Sequence, residues 1–170
     1  MSLYQDSVVQ FSKVLNNIES WLDKADAYAK QKSFDPNILL QARLAPDQFS
    51  LLKQLQIVSD WAKNGPSRLA GKDAPVFPDD EHTFEQIRNR VKSTVSYLAT
   101  FSEQDFNGAE KRVVPISRLP GKGSPAPEYL RETILPNFYF HASTAYAILR
   151  HNGVNLGKRD YVGAITTRDL

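Results

Sequence analysis

Residues 130–153 read LRETILPNFYFHASTAYAILRHNG, and their apolar spacing sets the fold class. Leu130, Ile134, Phe138, His141, Ala145 and Ile148 recur at steps of four, four, three, four and three. That is the period of one face of an α-helix. A helix is therefore expected from about Pro127 to His151, closed by Asn152-Gly153. Pro136 lies inside the pattern and is expected to kink or offset its first turns.

The same period recurs three times toward the N-terminus. Val8, Phe11, Leu15, Ile18, Leu22 and Ala25 form an unbroken seam from Leu3 to about Lys30, widened by Trp21 and Tyr28. Asp35-Pro36 marks a turn, and Ile38-Leu39-Leu40 is expected to pack as a covered loop or a single turn. Ala45-Pro46 is expected to open a second helix with Leu51, Leu55, Val58 and Ala62 as its stripe. Asn64-Gly65-Pro66 is expected to stop or kink it. A proline-rich connector spans 71–80; Thr83 with Gln86 then forms a capping box for a third helix through Phe84, Ile87, Val91, Val95 and Leu98.

From Ser102 to Pro127 glycine and proline dominate, with one short extended segment expected at Val113-Val114. The tail after Gly153 shows no helical period. Four amphipathic segments with a long crossover before the last describe an all-α four-helix bundle, a single domain over residues 1–170.

Composition narrows the function. The chain holds 21 basic and 19 acidic residues, and the basic ones are scattered, so no footprint for nucleic acid is present. It has no cysteine, which excludes disulfides, thiolate metal sites and a protein thiol nucleophile. That fits a reducing compartment. The first residues, MSLYQDSVVQFSKVL, do not read as a signal peptide, and no apolar run is long enough to span a membrane. A cytoplasmic location without membrane contact is expected.

The candidate chemistry rests on one histidine. His82 follows Asp79-Asp80-Glu81 and reads as a solvated loop residue; His151 sits at a helix C-terminus, where it favours the dipole. His141 and His151 are about 15 Å and about 80° apart on one helix, so they cannot pair. His141 instead lies mid-face, with Asn137 one turn before it and Thr144 one turn after. Gln56, on the margin of the second stripe, is a fourth inward polar candidate. Such a strip is costly unless hydrogen-bonded. No carboxylate stands at the centre of an apolar face, which argues against a paired-carboxylate centre. Phe138, Tyr139, Phe140 and Tyr146 surround most of the last helix, so it is expected to be buried on several sides or packed on a second subunit of a homodimer.

The run LPNFYFHASTAYAILRHNGV at 135–154, with LGKRDY at 156–161, LAPDQF at 44–49 and RLAG at 68–71, resembles a domain-of-unknown-function branch of the DinB/YfiT-like superfamily. The resemblance implies a four-helix bundle, often dimeric. In many members a divalent metal is held by one histidine of the second helix and an HxxxH pair of the fourth. Some relatives are thiol-dependent transferases or isomerases using mycothiol, bacillithiol or glutathione. Carried over, the HxxxH pair falls on Asn137 and His141, and the second-helix position on Gln56. One imidazole and two neutral amides disfavour zinc or nickel.

Four readings follow. The leading one is a metal-free polar pocket of Gln56, Asn137, His141 and Thr144 that binds a small molecule or a partner. In the second, His141 is the catalytic general base or thiolate stabiliser of a thiol transferase, with Asn137 and Gln56 orienting the substrate or a water. In the third, a residue such as Asp60 or His82 completes a metal site. In the fourth, the role is purely structural, with the aromatic last helix forming a dimer interface.

Overall fold

The first helical seam is realised almost as its spacing dictates. In the computed structural model, which describes residues 2–169, Val8, Phe11, Leu15, Ile18, Leu22 and Ala25 are all buried. A π-helical turn at Gln5–Val9 runs into α1, Gln10–Lys32. A 3-10 turn follows at Pro36–Gln41, started by the Asn37 N–H donating to Asp35 Oδ1 (2.9 Å). It turns Leu39 and Leu40 inward and leaves Ile38 in solvent.

The second helix, α2, runs Leu51–Ala70 and corrects both expected ends. Pro46 does not open it: the Gln48 N–H bonds the Ala45 carbonyl (3.1 Å), so Pro46 occupies a β-turn position that suits its fixed φ. Nor do Gly65 and Pro66 stop it. Proline removes one helical hydrogen bond, yet α2 continues to Gly71, whose φ of 69° ends it. Gly65 has a different purpose. A Cβ there would stand 2.7 Å from Cγ2 of buried Ile134, so the glycine permits close approach of the last helix.

The Thr83–Gln86 capping box forms as expected and starts α3, Phe84–Leu98. The crossover holds two short strands rather than one. β1, Val113–Pro115, pairs antiparallel with β2, Gly123–Pro125, placing Val114 opposite Ser124. A Cβ on Gly123 would crowd Val113, so this glycine is what lets the second strand lie close.

The last helix comes in three consecutive parts: α4 at Ala126–Tyr129, a π-helical turn at Leu130–Ile134, and α5 at Leu135–His151. The wide turn sits just ahead of Pro136, where an α-turn would clash with the proline ring. The tail also corrects its expectation, because Lys158–Val162 forms α6. One turn is too short to show a period, and its support is tertiary. Trp21 Nε1 donates to the Asp160 carbonyl (2.9 Å), Asn17 Nδ2 donates to that of Tyr161 (3.0 Å), and the Trp21 and Tyr161 rings stack at 5.6 Å.

The fold is mostly helical. α2 packs on α3 and α5, while α1 packs on the same two from the other side. Between them lies one core, which includes the Phe11–Phe138 ring pair stacked at 4.1 Å. Among the described residues no helix is long and apolar enough to cross a membrane.

Gly65→Ala gains helix propensity of about 1 kcal/mol but forces a methyl group onto Ile134. We expect a net loss of roughly 1–2 kcal/mol in chemical denaturation. A variant as stable as the parent would contradict the close approach.

Candidate functional site

α2 and α5 meet with one polar pair between them. His141, 9% exposed, points its Nδ1 at Gln54 Oε1 across 2.6 Å. Gln54 is itself buried, and its Nε2 donates to the Phe49 carbonyl (3.2 Å). A carbonyl only accepts, so the amide nitrogen must face Phe49 and the amide oxygen must face His141. That oxygen also only accepts, so Nδ1 carries the proton. The tautomer is thereby set: Nδ1–H inward, and Nε2 with a free lone pair. Nε2 makes no hydrogen bond among the described residues, and it is not a sealed, orphaned atom, so it meets solvent. Burial pushes the imidazole below its usual range near 6.5, which keeps the ring neutral at pH 7.

The other predicted residues lie less centrally. Thr144 is buried, but its hydroxyl donates to the Phe140 carbonyl (2.7 Å). Half-buried Asn137 donates to the Thr133 carbonyl (2.7 Å). Both donors are spent within their own helix, one turn back. Gln56 does not face His141 at all. Residues two apart on a helix point about 200° apart, so Gln54 looks to α5 while Gln56 looks to α3. The sequence signal for Gln54 was present: it stands three residues after Leu51 and four before Val58, inside the apolar stripe.

Gln56 belongs to a second polar centre built on Arg90. Its Nε2 donates to Glu81 Oε2 (2.8 Å). Arg90, with 2% of its side chain exposed, donates from Nη1 to Glu81 Oε1 (2.8 Å) and the Pro78 carbonyl (3.0 Å). Its Nη2 bonds Asp60 (2.8 Å) and pairs with Asp79 (3.1 Å). Lys63 stands 3.2 Å from Asp60, and Phe77 lies under both cations. The seam continues through Ser59 and Thr94, whose hydroxyls are 2.6 Å apart. Lys53, 2.6 Å from Asp79, brings the cations to three against three carboxylates, and the cluster straps the 71–83 connector onto α2 and α3.

This arrangement bears on the metal. Asp60 is committed to Arg90 and Lys63, and exposed His82 stands at the start of α3 with its backbone N–H bonded to Gln86. Among the described residues no group of three or more His, Asp or Glu is placed to hold an ion. Around Nε2 the nearby donors on α5 are a neutral amide and a hydroxyl, and the Gln54 oxygen is taken by Nδ1–H. Zinc and nickel want several nitrogen or anionic ligands. The residues present do not fit such a metal.

The aromatic ring of residues around α5 is mostly satisfied within the chain. Phe138 stacks on Phe11, Tyr139 lies edge-on to Phe138, and Tyr146 packs against Trp21 and Tyr161. Phe140 stays 58% exposed, edge-on to the His141 ring at 5.1 Å between centroids. Exposed His151 ends the helix.

Comparison with known families places a match over nearly the whole chain. The profile described as Domain of unknown function (DUF1993) matches residues 3–162. A solved structure, described as the crystal structure of a DinB family member protein from Shewanella denitrificans at 1.83 Å resolution, is 46% identical with a TM-score of 0.95. The alignment covers 99% of this chain and 96% of that one. A comparison with curated proteins gives no match.

Three outcomes are expected. An NMR titration should place the His141 pKa below 6.5. Its contribution to stability is then complete above pH 6.5 and lost as pH falls through the lowered value. Gln54→Glu sets a carboxylate on Nδ1–H and should raise that pKa above the parent's; an unchanged value would refute the contact. Arg90→Ala should cost about 3–5 kcal/mol in urea denaturation, because it leaves the buried Glu81 carboxylate without a cation. A loss under about 1 kcal/mol, the range of an exposed pair, would mean the cluster is solvated.

Proposed function

The chain belongs to the DUF1993 family, a DinB-like domain of unknown function, and from that premise we propose that it is a binding protein working at the open Nε2 of His141. In this reading the four long helices form a four-helix bundle and residues 1–170 are one domain. The site takes a small protic molecule without a metal. The ligand donates a hydrogen bond to Nε2, and Asn137 and Thr144 offer further polar atoms along the same helix.

The observation that carries this reading is the short His141–Gln54 hydrogen bond. It orients the ring, fixes the tautomer, and leaves one acceptor toward solvent. Positioned acceptors of this kind give a binding site its orientation and specificity. The thiol-transferase alternative uses the same atom as a base. Burial lowers its basicity, which favours accepting a hydrogen bond over removing a proton from a thiol. Binding therefore ranks above catalysis.

The test uses protein labelled with 15N in its histidine rings. Small protic probes at millimolar concentration (phenol, cyclohexanol, acetamide and 2-mercaptoethanol) should include at least one that shifts the His141 Nε2 signal saturably. His141→Ala should abolish the binding. If no probe moves that signal, the reading fails. Zinc or nickel should change the melting temperature equally in the parent and in His141→Ala; a stabilisation lost in the variant would refute the metal-free site.

A further inference from the structure

We infer that Asn107 is a site of spontaneous covalent modification, at which the Gly108 nitrogen attacks the Asn107 side-chain amide and leaves an aspartyl or isoaspartyl residue. The basis is a contrast among the three Asn-Gly pairs of the chain, Asn64-Gly65, Asn107-Gly108 and Asn152-Gly153. The fold locks two of them and leaves the third free.

The reaction is a ring closure followed by hydrolysis, and asparagine is among the thermolabile residues because of it. The Gly108 nitrogen, its proton taken by solvent hydroxide, bonds to Cγ of Asn107, and the side-chain nitrogen leaves as ammonia. Water then opens the five-membered imide at either carbonyl, which frees a carboxylate on the side chain or on the main chain. One water enters, one ammonia departs, and nothing is oxidised or reduced. Glycine is the follower that favours closure, because no Cβ shields its nitrogen.

At position 107 no contact resists that closure. Asn107 is exposed and stands between two 3-10 turns, Glu103–Phe106 and Ala109–Lys111. Attack requires the peptide joining 107 to 108 to turn about the Cα–C bond of Asn107. Among the described residues neither the Gly108 N–H nor the Asn107 carbonyl makes a hydrogen bond, so that peptide is held at neither end. A Cβ built on Gly108 would meet nothing within 4 Å, so the space around the nucleophile is open.

The other two pairs are restrained. Asn64 and Gly65 lie inside α2, where the Gly65 nitrogen belongs to the helical ladder and the glycine is buried under Ile134. Asn152 Nδ2 donates to the Ile148 carbonyl (2.8 Å), and the Gly153 N–H donates to that of Arg150 (3.2 Å). A Cβ at Gly153 would collide with Tyr28, so this turn is also packed. Releasing two hydrogen bonds before closure slows Asn152 by about tenfold or more. Opening the middle of α2 for Asn64 costs more still.

The product changes one wall of a cavity. Asn107 lines a space of about 550 Å³ together with Tyr4, Glu103, Phe106 and Glu110. Conversion sets a third carboxylate there and lowers the formal net charge of +2 by one. The isoaspartyl form also adds a carbon to the main chain between the two 3-10 turns.

The test ages the full chain at mildly alkaline pH, folded in buffer and unfolded in guanidinium. Mass spectrometry follows the peptides holding the three asparagines, with aspartyl and isoaspartyl products resolved. In the folded protein Asn107 should convert about tenfold or more faster than Asn64 or Asn152. In the unfolded chain the three rates should agree to within about threefold, since only residual structure then separates them. Asn107→Gln should abolish the fast phase and Gly108→Ala should slow it severalfold, with circular dichroism matching the parent to show that both fold. Equal rates in the folded protein, or a lead by Asn152, overturn the inference. An aspartyl product alone also overturns it, because opening of the imide yields both forms. A lead by Asn107 that persists in guanidinium would put the selectivity in the local sequence and refute the part assigned to the fold.

Discussion

The close approach of α2 and α5 is the constraint on which the rest of the structure depends. Two helices can come this near only where one surrenders a side chain, and Gly65 does so beneath Ile134. Higher on the same interface Gln54 then reaches His141 at 2.6 Å, a bond with no tolerance for an added methyl group's worth of separation. The aromatic stack of Phe11 on Phe138 holds α5 from the other side. Pro136 and the π-helical turn before it set where the α-helical phase of α5 begins, and so which way His141 points. Packing and site are one mechanical problem here: the backbone distance decides the hydrogen bond, and the hydrogen bond decides the tautomer.

The second helix carries two glutamines with opposite assignments. Gln54 serves the single imidazole facing α5, whereas Gln56 closes a network around Arg90 facing α3. The Arg90 centre is a poor source of net stability, since taking an arginine and a carboxylate from water costs nearly what their attraction returns. Its geometry instead gives register. Asp79, Glu81 and the Pro78 carbonyl all come from the connector, so one guanidinium locates that strand of irregular chain on the two helices. Burial pushes the Asp79 carboxyl up, but the Lys53 and Arg90 cations outweigh it and hold it low. The Asp79 arm of the strap is thus kept at pH above the ordinary carboxylate range and lost only as pH falls through that lowered value.

Much of the fold was legible in the sequence, because three helices carry long seams and α3 also carries its cap. Val8 to Ala25 admits no other reading, and Thr83 with Gln86 marks its helix start to the residue. What was not legible has a common cause. Pro46, Gly65 and Pro66 are local signals for starting and stopping helices, yet here a turn and a neighbouring helix decide what they mean. The α6 turn is held by Trp21 and Asn17 from the far end of the chain, and β2 exists because Gly123 lies against β1. The site was half legible. His141 stands out as a polar residue on an apolar seam, but its partner depends on helical phase, and a shift of two residues from Gln54 to Gln56 reverses direction.

The central claim is that His141 holds its proton on Nδ1 and presents Nε2 as a bare acceptor. A long-range proton–nitrogen correlation spectrum of the histidine rings, recorded above pH 7, reads this directly. The account predicts a pyrrole-like Nδ1 and a pyridine-like Nε2 for His141, with the pattern lost in Gln54→Ala. A pyridine-like Nδ1 with the proton on Nε2 would contradict it, since the Gln54 oxygen could not then be the partner and the open acceptor would not exist.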